Sequence, residues 1–233
     1  MGKGLLLCVI CILVTQSKAS GMADQRSLVS YLSDHDNTII PKKESSPVNV
    51  TVSLTLIDIL KVDKETGQVD IVAWVSNTWK SNFQWDPARF GNVSNLAIPS
   101  KLLWVPDIYA YNGISKMEPL SPDLLVIAHT GDVVYVPSIR ISFLCDLKRQ
   151  DISTNATCEL KLGSWVYSGY KMDLINPRFD LSSYFSGSKY EVLGVSAKKE
   201  TSYYQCCPEP YISLKFVLSF KEQSSRGILG INW

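Results

Sequence analysis

The stretch Asn49-Val50-Thr51-Val52-Ser53-Leu54-Thr55-Leu56 alternates apolar and polar side chains. Successive side chains of a β-strand point to opposite faces of its sheet, so this alternation predicts a half-buried strand. After a polar turn from Lys61 to Gln68, the segment Asp70 to Trp79 alternates in the same way and places Trp74 on the face opposite Ile71. The two segments together predict a β-hairpin.

Further strand-like segments follow, each short and bounded by turn residues. They are Leu124 to Ala128, Val133 to Pro137, Arg140 to Cys145, Cys158 to Tyr167, Tyr190 to Ala197 and Tyr211 to Phe220, with a hairpin turn at His129-Thr130-Gly131-Asp132. Short strands between turns predict an all-β fold, either a sandwich or a barrel. Ahead of them, Asp24 to Ser33 carries apolar residues at helical spacing, which predicts a short amphipathic helix on the outside.

The first 19 residues are typical of a secretory signal peptide, with Lys3, an apolar run from Leu5 to Val14, and small residues Ser17 and Ala19 at cleavage spacing. The run is shorter than the roughly 20 apolar residues that span a membrane, and no later segment has the composition of a span. We expect residues 20–221 to form one secreted, extracellular domain. Residues 222–233 are expected to form a tail that is a candidate for disorder.

The charge of the mature chain is nearly balanced. Cleavage would remove Lys3 and Lys18 and leave 21 basic against 22 acidic residues. Nucleic-acid-binding domains usually carry a clear excess of basic residues, so this balance does not favour a nucleic acid partner.

Four cysteines remain after cleavage, namely Cys145, Cys158, Cys206 and Cys207, and an oxidising compartment favours their pairing. Three pairings are possible. We expect the one that joins Cys145 to Cys158 across a polar loop and Cys206 to its neighbour Cys207, although the sequence leaves the other two open. Closing the longer loop would stabilise the fold by about 3 kcal/mol, whereas a bond between adjacent cysteines closes a small, strained ring.

Three sequons, at Asn49, Asn92 and Asn155, predict surface positions that accept a glycan in a secreted protein. A catalytic function has little support in the sequence. The serine in Gly194-Val-Ser196-Ala-Lys198 lacks the second glycine of a nucleophile elbow, and His35 and His129 have no nearby cysteine or carboxylate cluster at metal spacing. We therefore expect a protein that is not an enzyme and that needs no cofactor or metal.

Aromatic residues are the chemical feature that remains. Trp74, Tyr111, Trp165, Tyr204 and Tyr211 all fall in predicted strands or at strand ends. Each of them taken singly is more often a core residue. Trp165, however, lies between Gly163 and Gly169, where a ligand or another chain has room to approach.

The resemblance to a known family is carried by four segments that follow one another in order. They are Trp104-Val-Pro106-Asp107-Ile-Tyr-Ala110-Tyr111, the Cys145 to Cys158 loop, Gly163-Ser-Trp165-Val-Tyr-Ser-Gly169, and Tyr204-Gln-Cys206-Cys207-Pro-Glu-Pro-Tyr211. Together they resemble the soluble acetylcholine-binding proteins, secreted relatives of the extracellular domain of nicotinic, Cys-loop ligand-gated channels. The resemblance implies an antiparallel, immunoglobulin-like β-sandwich that assembles as a homopentamer with ligand sites between subunits.

Matching motifs imply a role for each residue of such a site. The principal face would supply Tyr111, Trp165, Tyr204, Cys206, Cys207 and Tyr211; the complementary face would supply Trp74 with an apolar wall of Val126, Val134 and Val136. Lys161 resembles a lysine that supports the tyrosines from behind, and a solvent-facing strand lysine is an equally good interpretation. The implied ligand is acetylcholine or a similar quaternary or protonated amine, because a cage of aromatic rings attracts such cations.

Two features depart from the pattern. The valines are small beside the leucine or methionine often found on this wall, and the Cys145 loop lacks the Phe-Pro-Phe that channel subunits dock onto their membrane domain. The second departure favours a free secreted binding protein. The alternatives are a truncated or secreted channel subunit that acts as an assembly partner, and a secreted esterase.

Overall fold

The computed structural model describes residues 21–34, 37–41, 46–185 and 187–223. The predicted signal peptide and the end of the predicted tail lie outside these residues. Helix α1 (Gly21–Ser33) begins three residues before Asp24 and buries Leu28 and Leu32 completely, as their helical spacing predicts. No helix in the described ranges has the length and apolar character needed to cross a membrane.

Twelve strands in the described part of the chain form two sheets, so the all-β sandwich prediction is confirmed. The strands of the larger sheet are β1 (Val48–Asp63), β2 (Gln68–Lys80), β3 (Asn95–Pro99), β5 (Glu118–Pro119), β6 (Leu124–Ala128), β7 (Asp132–Tyr135), β8 (Ser138–Leu144) and β10 (Met172–Asp180). Those of the smaller sheet are β4 (Ile108–Ala110), β9 (Ala156–Ser164), β11 (Tyr190–Tyr204) and β12 (Cys207–Glu222). Two short 3-10 helices, Pro87–Phe90 and Ser100–Leu102, flank β3.

The alternation that predicted β1 is exact in the structure. Val50, Val52, Leu54 and Leu56 are fully buried between the sheets, whereas the polar residues between them reach the surface. Burying a side chain of this kind stabilises a fold by roughly 1.5–3 kcal/mol. Trp79 on β2 is only 5% exposed and belongs to the same core.

In the described part of the chain every strand pairing is antiparallel except that of β1 with β10, which is parallel. The register of this pair shifts between Thr51 and Ser53, opposite Asn176 and Pro177. Asn176 has a φ of 49°, and proline has no N–H to donate to a ladder. The bulge lets β10 continue along β1 beyond these two residues.

The connections agree with the sequence at several points. β6 and β7 form the predicted hairpin, whose turn places Gly131 at a φ of +88°, a conformation that favours glycine. The predicted bond between Cys145 and Cys158 is present, with Cα atoms 5.3 Å apart. Glu222, which we assigned to the tail, is the last residue of β12. The sequon residues Asn49, Asn92 and Asn155 are all exposed.

Candidate ligand-binding site

Four aromatic residues from three parts of the smaller sheet meet at one end of it. Tyr111 follows β4, Trp165 follows β9, and Tyr204 and Tyr211 lie on the two arms of the β11–β12 hairpin. We call these four residues the cage. Together with Ser164 they line an open cavity of about 290 Å³. The structure therefore brings together all the aromatic residues that the resemblance assigned to the principal face.

Asp107 holds the backbone on either side of Trp165. Its carboxylate accepts hydrogen bonds from the N–H groups of Trp165 and Val166, at 2.9 and 2.8 Å, and from the Ser164 hydroxyl at 2.6 Å. The Ser164 hydroxyl in turn accepts from the Tyr167 N–H. This local network, with the ring of Tyr109 5.1 Å away, presents the Trp165 indole to solvent with 68% of its surface exposed.

Tyr111 lies against the backbone of β9. Its ring passes over Gly163, where an added Cβ would come within 2.5 Å of the phenol oxygen. Its hydroxyl donates to the Ser164 carbonyl at 2.6 Å. Burial raises the pKa of Tyr111 to about 12, with smaller contributions from Tyr204, Asp107 and Tyr211. The Tyr111 phenol is therefore neutral at physiological pH.

The β11–β12 hairpin brings Tyr204 and Tyr211 together. Their ring centroids are 5.4 Å apart with an edge-to-face geometry. The register places Ser202 opposite Tyr211 and Tyr204 opposite Cys207, and the resulting irregularity contains Pro208 and Pro210. The carbonyl of Pro210 accepts a hydrogen bond from Gly169 at 2.7 Å, which ties the hairpin to the segment that follows Trp165.

Cys206 and Cys207 differ from the prediction. The structure has both as free thiols at the hairpin tip instead of the predicted disulfide. A hydrogen bond with Cys207 is the largest cause that raises the pKa of the Cys206 thiol. The two cysteines are adjacent in sequence, and a bond between them would need the strained geometry of such a pair.

Lys161 lies on the outer face of the smaller sheet and pairs with Glu200, with 3.7 Å between Nζ and the carboxylate. The same carboxylate also pairs with Lys198 and Lys215, at 3.2 and 3.3 Å. Lys161 is therefore part of an ion-pair network. Its supporting role behind the tyrosines, which the resemblance implied, stays a prediction.

The four residues of the implied complementary face lie on the larger sheet. Trp74 is on β2, Val134 on β7 and Val126 directly opposite it on β6, with Val136 just after β7. We call these residues the wall. Trp74 is 42% exposed and each valine 43%. The wall thus consists of exposed apolar side chains on a different sheet from the cage.

The cage has the chemistry of a cation site. The faces of aromatic rings carry partial negative charge, and a quaternary ammonium within about 6 Å of such a face gains roughly 0.5 to 2 kcal/mol per good contact. Indole provides the strongest face, and Trp165 is the most exposed ring of the four.

Comparison with known proteins agrees with this geometry. Residues 24–223 match the family described as the neurotransmitter-gated ion-channel ligand binding domain, and the chain belongs to that family. It is 28% identical over 224 residues to the acetylcholine receptor subunit alpha-type acr-16 of Caenorhabditis elegans, which covers 94% of this chain and 45% of the relative.

Two further relatives give the same result. The chain is 30% identical to acetylcholine receptor subunit alpha-L1 of Schistocerca gregaria, over 83% of this chain and 37% of that protein. It is 29% identical to the human neuronal acetylcholine receptor subunit alpha-9, over 96% and 49%. The chain therefore spans about half the length, or less, of these relatives.

Sequence reasoning missed Asp107 as a functional residue, although it lies inside one of the quoted motifs. Its partners are 57 to 59 positions away, so no local pattern joins them. A carboxylate directly after a proline, in the motif that ends at Tyr111, was the available signal. The need for glycine at residue 163 was likewise visible only once Tyr111 had been placed over it.

Proposed function

We propose that this protein is a secreted binding protein that captures acetylcholine or a related cationic amine, without catalysis. The observation that carries the proposal is the cavity formed by Trp165 and the three tyrosines of the cage. Electron-rich rings select a diffuse, weakly hydrated cation such as a quaternary ammonium. The Asp107 carboxylate beside the cage is already occupied by three donors, so the attraction comes mainly from the rings.

The second half of the site would come from another copy of the chain. The cage and the wall lie on different sheets, so a contact that joins the cage of one copy to the wall of the next is heterologous, and a closed ring satisfies every such contact. The exposed Trp74 and valines supply the apolar surface that such a contact buries. Family membership favours a ring of five, and we propose a homopentamer.

The loop closed by Cys145 and Cys158 supports a protein that works without a membrane domain. Gln150 crosses this loop and bonds both Asp146 and Thr157, and Leu147 is fully buried. The outward residues from Lys148 to Thr154 are largely polar or charged. This surface is suited to solvent. The family's relatives are receptor subunits of about twice the length, which favours as second candidate a nicotinic-type subunit that serves as an assembly partner.

The test combines native mass measurement with calorimetry on the purified protein. We expect a mass of about five chains and saturable binding of acetylcholine without production of choline. Trp165→Ala should weaken binding about tenfold or more with the assembly intact, because indole is the strongest cation-π face. Tyr203→Ala removes an exposed ring outside the cavity and serves as the control. A monomer, or an intact assembly that binds no amine, would overturn the proposal.

A further inference from the structure

Asn112 is the residue at which the chain crosses from one sheet to the other. Ala110, two residues before it, belongs to β4 and pairs with β9 of the smaller sheet. Gly113, just after it, bridges to Phe143 of β8 in the larger sheet. The turn is tight, because a Cβ on Gly113 would come within 2.9 Å of the Ala110 carbonyl.

The Asn112 side chain bonds to both sheets at once. Its Nδ2 donates to the carbonyl of Leu144 at 2.9 Å and to that of Glu159 at 2.8 Å, and its Oδ1 accepts from the Lys161 N–H at 3.1 Å. Its own backbone carbonyl accepts from the Leu144 N–H. On the β9 side, the amide bonds to the Glu159 carbonyl and the Lys161 N–H take the place of the backbone bonds that β4 would make if it continued past Ala110.

These bonds lie directly behind the cage. Tyr111 precedes Asn112 and donates its backbone N–H to the Lys161 carbonyl, at 2.8 Å. Both backbone groups of Lys161 are therefore held by the pair Tyr111 and Asn112, and two residues further along β9 is Gly163, over which the Tyr111 ring passes. A shift of the crossing would move the tyrosine ring along β9.

We propose that Asn112 is a positioning residue of the ligand site, which fixes the place of Tyr111 by tying the crossing point to β9 and to the end of β8. The proposal rests on the proposed function for its ligand, and on the described contacts for its geometry. Leu144 is next to Cys145, so the same amide also joins the cage to the disulfide-closed loop.

Gln150 offers a matched control. Its side-chain amide also makes three hydrogen bonds to backbone groups, two to carbonyls and one from the Thr157 N–H, but it does so within the Cys145 loop. Asn112→Ala and Gln150→Ala thus remove equivalent sets of hydrogen bonds, the first next to Tyr111 of the cage and the second within the Cys145 loop. Asn112→Asp is a second variant, which keeps the shape and the acceptor and loses both donors.

The first readout is affinity for tetramethylammonium, measured by calorimetry alongside stability in urea. We expect Asn112→Ala and Asn112→Asp to weaken binding about fivefold or more, because Tyr111 is no longer held in place. Gln150→Ala should change the affinity less than about twofold. Asn112→Ala combined with Tyr111→Ala should be no weaker than Tyr111→Ala alone. Equal losses in the Asn112 and Gln150 variants, or additive losses in the double variant, would overturn the proposal.

The second readout needs no ligand and separates this proposal from the proposed function. The Tyr111 ring, labelled with ¹³C at Cζ and assigned through Tyr111→Phe, should titrate near pH 12 in the wild type because the ring is buried. A displaced ring should ionise at lower pH in the Asn112 variants and not in Gln150→Ala. If the wild type binds no amine, the proposed function is wrong, but this titration still tests whether Asn112 positions Tyr111. An unchanged titration in both Asn112 variants would refute the positioning role.

Discussion

A methyl group at residue 163 has no room, because the ring of Tyr111 lies over that position. A Cβ there would be 2.5 Å from the phenol oxygen and 2.6 Å from Cζ. Gly163→Ala should therefore displace Tyr111 and weaken the binding of tetramethylammonium by about tenfold, equivalent to about 1.4 kcal/mol. Gly194→Ala on β11 is the matched control, since no atom lies within 4 Å of its added Cβ. Equal affinities in the two variants would contradict this account of the Tyr111 position.

The buried phenol of Tyr111 also links stability to pH. Its pKa is raised to about 12, mainly by burial, above the value of 10.0 for a free tyrosine. The phenol therefore stays protonated to a higher pH in the folded state than in the unfolded state. The resulting stabilisation is complete below pH 10 and is lost as the pH rises towards 12. In urea unfolding, the wild type should lose stability more steeply than Tyr111→Phe between pH 10 and 11. Parallel curves would show that Tyr111 does not titrate as its burial implies.

The β11–β12 hairpin carries its two cysteines at the tip, where a bond between them would stiffen the turn. We expect oxidation to join Cys206 and Cys207, because they are adjacent in sequence and both are free thiols at the hairpin tip. Replacing both by serine should leave the free energy of unfolding nearly unchanged, because so small a ring restricts the unfolded chain little. The same change should lower ligand affinity through looser ordering of Tyr204 and Tyr211. Peptide mapping checks the disulfide, urea unfolding checks the free energy of unfolding, and calorimetry checks the affinity.

A disulfide from Cys206 or Cys207 to Cys145 or Cys158 in the peptide map would contradict this view of the hairpin. So would a double serine variant that binds as tightly as the oxidised protein.

Strands with clear alternation could be predicted from sequence, and strands held mainly by their neighbours could not. β1, β2 and β12 bury one parity of apolar residues, and this pattern is local. β10 was missed because Asn176 and Pro177 interrupt it, and its pairing with β1 depends on a strand more than 100 positions away. The two-residue strand β5 is likewise set by its partner β8. Local pattern carries no information on such partners.

The cage could be predicted because its aromatic residues lie in distinctive motifs, whereas the residues that hold it could not. Asp107 and Asn112 act through backbone groups that are about 30 to 60 positions distant. Hydrogen bonds of this kind leave no periodic trace in a sequence. The ion pair of Lys161 with Glu200 on β11 is a further long-range contact that no local pattern predicted.

On the scale of the whole molecule, the separation of cage and wall predicts a complementation experiment. Trp165→Ala disables the cage and Trp74→Ala disables the wall, so assemblies of either variant alone should bind tetramethylammonium weakly. Where the two are co-expressed and mix at random, about a quarter of the contacts should join an intact cage to an intact wall. Calorimetry should then find about that fraction of sites with wild-type affinity.

Separately purified variants, mixed without exchange of subunits, are the control and should recover none. If co-expressed assemblies of proven mixed composition also recover none, cage and wall do not meet between subunits.

The parallel pairing of β1 with β10 has a consequence in time. Val48 and Met172 are partners in this pair. Ribosomes add about 5–20 residues per second, so β1 waits about 6–25 s for its neighbour while the chain is made. During this interval the outer edge of β1 presents open N–H and C=O groups to water or to other chains. The sequon at Asn49 lies in this strand. A glycan attached there before β10 arrives would shield the growing chain from association at the moment when its edge is bare.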